Sequence, residues 1–101
     1  MRNYLRRYVY KYIQHIVYRE RGDIYFMQMD YAHAIEDYSR ALSLGDHSIM
    51  VDSNAHLLLN RGKSYIATGE KVKGEKDIIE SCNIYNTKYN KACDLADKIQ
   101  R

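Results

Sequence analysis

Apolar residues recur along this chain at steps of three and four. Leu5, Tyr8, Val9, Tyr12, Ile13, Ile16 and Val17 form one such stripe, which is the pattern of an amphipathic helix. The helical pattern continues through Gly22, Ile24, Tyr25 and Phe26. A turn is expected near Met29, where Asp30 can cap the next helix. That helix carries Tyr31, Ala34, Ile35, Tyr38, Ala41 and Leu42, and Gly45-Asp46-His47-Ser48 reads as its stop. Asp52 or Ser53 is the expected N-cap of a third helix, with Leu58, Gly62, Tyr65 and Ile66, closed by Gly69. A weaker helix follows over 71–84, around Val72, Ile78, Ile79, Cys82 and Ile84. The last, over about 88–100, sets Ala92, Leu95, Ala96 and Ile99 on one face and Lys91, Asp94, Asp97 and Lys98 on the other. The expected fold class is therefore all-α, a single domain of about five helices.

Shifting the chain against itself by 40 residues places Arg21-Gly22 on Arg61-Gly62, Tyr25 on Tyr65 and Asp37 on Asp77. Tyr18 falls on Leu58, Tyr38 on Ile78 and Leu44 on Ile84. Each unit is then a helix, a short turn and a second helix. Gly inside a helix costs about 1 kcal/mol against Ala. Two equivalent mid-helix glycines thus point to close approach of another backbone, with Ala34 and Gly74 as the expected small facing residues.

These residues resemble the tetratricopeptide repeat: an aromatic, Leu-Gly, Tyr, then Ala, an aromatic and a closing Pro. The first unit reads Tyr18, Arg21-Gly22, Tyr25, Ala34, Tyr38; the second, more degenerate, reads Leu58, Arg61-Gly62, Tyr65, Gly69, Gly74, Ile78. Arg21 and Arg61 replace the family's Leu, and Asp46 and Asn86 its Pro. The period of 40 exceeds the usual spacing of about 34, with the extra residues placed near Ser48–Ser53. The resemblance covers about residues 15–88. It implies a helix-turn-helix stack, an α-solenoid: a basic helix over 2–18, repeat one over about 15–48, repeat two over about 55–88, and a capping helix over about 88–100. It also implies a concave groove for a peptide or partner helix, lined by Ile16, Arg19, Asp23, Phe26 and Met27 from the first unit. His56, Leu59, Lys63, Ile66 and Ala67 follow from the second. The function implied is a protein–protein interaction module, an adaptor, co-chaperone or assembly factor. The carboxylate clamp found in some of the family is not expected, because Asp23 would repel a carboxylate beside Arg19 and Asn60.

Charge changes the picture in one place. The net charge is +3, but residues 1–21 hold six basic groups and a single acid, Glu20, while the remainder is net acidic. The positive field belongs to the N-terminal helix. Arg2, Arg6, Arg7 and Lys11, interleaved with Tyr4, Tyr8, Tyr10 and Tyr12, give the rival expectation: an anion-binding surface for nucleic acid or a membrane. The apolar stripe of the same helix also gives an expectation of self-association.

The remaining chemistry is sparse. The chain has eleven Tyr, one Phe and no Trp, which suits a thin core whose side chains reach water. His15, His33, His47 and His56 show no metal-ligand spacing, and neither a nucleophile elbow nor a phosphate-cradling loop is present. No catalysis, cofactor or metal is expected. Cys82 and Cys93 are expected as reduced, partly buried thiols. Without an apolar run long enough to span a bilayer or a signal-peptide core, the expected location is the cytoplasm.

Overall fold

In a computed structural model of the chain, residues 2–45, 50–85 and 91–100 are described. They form five helices and no strand: α1 Arg2–Met27, α2 Tyr31–Ser43, α3 Val51–Ala67, α4 Lys71–Tyr85 and α5 Lys91–Gln100. The protein is all-α. The N-terminal stripe and the first helix of unit one are a single uninterrupted α1. Each helix packs on its neighbours in sequence, and α1 also touches α3.

The turns between paired helices repeat. Met29 (φ 61°) and Gly69 (φ 89°) occupy the left-handed region at equivalent positions. Behind them Asp30 N–H donates to Tyr25 O (2.9 Å) and Glu70 N–H to Tyr65 O (2.8 Å). Asp30 caps α2 as expected, its side chain accepting from the His33 N–H. The expected cap of α3 is overturned. Met50 holds that position without a side-chain bond, because Ser53 lies inside the helix with its hydroxyl engaged by His15 and Arg19. Asp46, His47, Ser48 and Asn86 lie outside the described residues.

Ala34, Tyr38, Ala41 and Leu57 form the fully buried centre, with Tyr18, Tyr25, Phe26 and Leu42 packed against it. Both mid-helix glycines are sites of close approach. A Cβ at Gly62 would lie 2.7 Å from the Gly74 carbonyl oxygen, so α3 and α4 meet backbone to backbone. At Gly22 the nearest atoms belong to the Tyr38 ring (2.8 Å), not to Ala34. Tyr38 fills, in the first unit, the space that Gly74 leaves to backbone in the second.

Arginine in place of Leu before each glycine has a partner in each pair of helices. Arg21 donates through Nε and Nη2 to both oxygens of Asp37 (2.6 and 2.8 Å), and Arg61 to both oxygens of Asp77 (2.7 and 2.9 Å). Both carboxylates are buried, and the bidentate geometry raises the affinity of each guanidinium for its proton. Arg61 also donates to Ser39 Oγ in α2 (3.1 Å) and so ties the second unit to the first.

The expectation of reduced thiols is overturned. Cys82 of α4 and Cys93 of α5 form a disulfide, with their Cα atoms 4.6 Å apart. The start of α5 lies against the last turns of α4, which brings together two residues eleven apart in sequence. Sequence spacing alone carries no such proximity. No helix among the described residues is long and apolar enough to cross a membrane.

Candidate functional site

The facing sides of α1 and α3 are joined by a polar network. His15, fully buried, donates from Nδ1 to the Ala41 carbonyl (2.7 Å). A carbonyl only accepts, so this bond fixes the neutral tautomer, and Nε2 is left to accept from the Ser53 hydroxyl (2.6 Å). Arg19 Nη1 donates to the same hydroxyl oxygen (2.9 Å). Burial lowers the His15 pKa; the Ala41 bond opposes that shift and the Arg19 charge adds to it.

One turn further along α1, Asp23 accepts from the Tyr38 hydroxyl (2.5 Å) and meets His56 Nε2 at 2.9 and 3.0 Å. Burial works against ionisation of Asp23, but the bonds from His56 and Tyr38 outweigh it and hold the carboxyl below its usual range. Burial, and then Asp23, push the Tyr38 hydroxyl well above the ordinary tyrosine value. Arg19, Asp23 and His56 line a recess of about 350 Å³ with Glu20, Asp52 and Ser53. Three of those six side chains are acidic, which makes the recess unsuited to an anion.

The second cavity is of another kind. A groove of about 450 Å³ runs between α3, α4 and α5, floored by Ile66, Ile78, Leu95 and Ile99. Lys63, Lys71 and Lys98 stand around it, with Glu75 paired to Lys71 at 3.7 Å. Apolar lining with a few charged groups at the edge is the usual make-up of a binding cleft.

The ten groove residues expected from sequence are thus divided. Arg19, Asp23 and His56 meet in the polar recess, and Lys63 and Ile66 line the apolar groove. Ile16, Phe26, Met27, Leu59 and Ala67 line neither. Phe26, expected to be spare for a partner, packs on the core and edge-on to Tyr31 (ring centroids 5.9 Å apart); Met27 is 78% exposed. Sequence reading missed Ile78, Lys71 and Glu75 of α4 and Leu95, Lys98 and Ile99 of α5. The apolar face of α5 is visible in the sequence as a stripe, where α5 is expected only as a capping helix. The basic residues of the rival site form two rows on α1, since Arg2 with Arg6 and Arg7 with Lys11 stand four apart. Arg6, Arg7 and Lys11 are exposed, and by helical geometry Arg6 points about 100° away from Arg7. The Arg2 side chain lies outside the described residues.

No group of His, Cys, Asp or Glu among the described residues is placed to hold a metal ion. No protein-family model matches the chain, and no curated protein or solved structure matches it either. The likeness to tetratricopeptide repeats rests on the residues quoted above.

Proposed function

We propose that this protein is a tetratricopeptide-like binding module, an α-solenoid whose groove between α3, α4 and α5 takes a short acidic and apolar segment of another protein. The carrying observation is the groove itself. Four apolar side chains form its floor, and three lysines against one glutamate form its edge. An apolar floor supplies affinity by desolvation, and a positive rim selects partners by charge. Repetition of the turn, the glycine contact and the Arg–Asp pair supports the solenoid reading. An adaptor, co-chaperone or assembly role fits such a module, and catalysis is no part of the reading. The Cys82–Cys93 bridge weighs toward an oxidising compartment and against the cytoplasm expected above.

Selection from a random peptide display library tests the reading. Peptides combining acidic with large apolar residues should be enriched. A synthetic peptide of that consensus should bind about tenfold or more weakly to the Lys63→Glu Lys98→Glu protein, with its circular dichroism and melting temperature unchanged. No acidic and apolar consensus, or equal binding by the variant, would sink the proposal.

A further inference from the structure

The outer side of α1 carries an apolar strip that no described element covers. Leu5, Val9, Ile13, Val17 and Ile24 follow one another at steps of four, four, four and seven, which keeps them on one side of the helix. Each is more than half exposed: 63%, 52%, 52%, 53% and 54%. The core-facing side of the same helix is occupied by His15 and Gly22, which meet Ala41 and Tyr38 of α2. Single exposed apolar residues need no explanation, whereas an aligned row of them marks an interaction surface.

Charge says what fits it. Glu20 is the one acid among the first 22 residues. It is 60% exposed, and its nearest ionic neighbour is Arg19 at 2.9 Å. Arg6 is exposed near the other end of the strip. A second α1 laid antiparallel and centred on Ile13 sets Arg6 of each chain opposite Glu20 of the other. The same register puts Val9 opposite Val17 and Ile13 on the twofold axis. A parallel pair would instead stack Arg6 on Arg6 and Glu20 on Glu20.

We infer that two copies of this protein associate through this face of α1, antiparallel and in the register centred on Ile13. The contact between Arg6 and Glu20 covers about 21 Å of each helix. That is a small interface, so the dimer is a weak, reversible one. The inference does not rest on the groove reading, since the strip lies on the opposite end of the helix array from α5.

Analytical ultracentrifugation from micromolar to submillimolar protein tests it. The unaltered protein should show a monomer–dimer equilibrium. Ile13→Glu, at an exposed position, should be monomeric with unchanged circular dichroism. Arg6→Glu and Glu20→Arg should each weaken the dimer about tenfold by placing like charges opposite one another. The Arg6→Glu Glu20→Arg double variant should recover affinity, because the pairs re-form with signs exchanged. An unaltered protein that stays monomeric, a dimer that survives Ile13→Glu, or a double variant no tighter than the singles would overturn the inference. So would a monomer that binds vesicles of anionic phospholipid, which would assign the strip to a membrane surface instead.

Discussion

His15 shows how much one side chain can decide. Its ring bridges α1 to the end of α2 and the start of α3, with both nitrogens engaged. Protonation would put a hydrogen on the nitrogen that accepts from Ser53, beside the Arg19 charge. The folded pKa is therefore lowered from 6.5, and the unfolded state binds the proton more readily. The sign follows: the contribution to stability is fully present above about pH 6.5 and is lost as the pH falls toward the folded pKa. Nuclear magnetic resonance should find the His15 ring titrating below 6.5, and urea midpoints should fall between pH 7 and pH 5. A pH-independent midpoint over that range, or a His15 ring that titrates normally, would contradict this account. A histidine at position 15, one of four without metal-ligand spacing, was visible in the sequence. Its role was not, because its two partners lie 26 and 38 residues away.

At the scale of helices, the repeat unit is a set of fixed contacts. Gly62 and Gly74 let α3 and α4 touch backbone to backbone, whereas Gly22 faces the ring of Tyr38. Alanine at Gly62 would gain about 1 kcal/mol of helix propensity. Its methyl group, however, would sit 2.7 Å from a carbonyl oxygen that cannot turn aside. Gly62→Ala should therefore destabilise by about 1–3 kcal/mol net, as read from denaturant unfolding. Gly22→Ala meets a buried ring rather than a backbone carbonyl, and because a ring can turn by a small angle it should cost somewhat less. Equal effects would mean that the two glycines do the same job. The close approach was legible from two glycines forty residues apart. Its form differs between the units because Tyr38 in one stands where Ile78 does in the other.

At the scale of the whole molecule, α5 closes the apolar groove and is stapled to α4. The bridged cysteines are eleven residues apart, and a loop of that size stabilises by about 3 kcal/mol on chain-entropy grounds. Cys82→Ser should lower stability by about that amount. It should also speed amide hydrogen exchange in α5 more than in α1 and α2, since α5 packs chiefly on α4. Uniform loosening of all five helices would show instead that the bridge supports the entire stack. Because Leu95 and Ile99 complete the groove, loss of the bridge should also weaken peptide binding.

The sequence by itself determined the five helices, the turns at Met29 and Gly69 and the forty-residue unit. These follow from residue spacing and backbone preference, which act over a few neighbours. It also matched Arg21 with Arg61 and Asp37 with Asp77, though it did not pair either arginine with its aspartate. Only the tertiary structure decided which faces meet. The crossing of α1 and α3 joins Asp23 to His56 across 33 residues, and the return of α5 bonds two cysteines that looked unrelated. Phe26 went to the core, while Leu95 and Ile99 went to a groove. Such pairings depend on how whole helices pack, and that balance is a sum over contacts far apart in the chain.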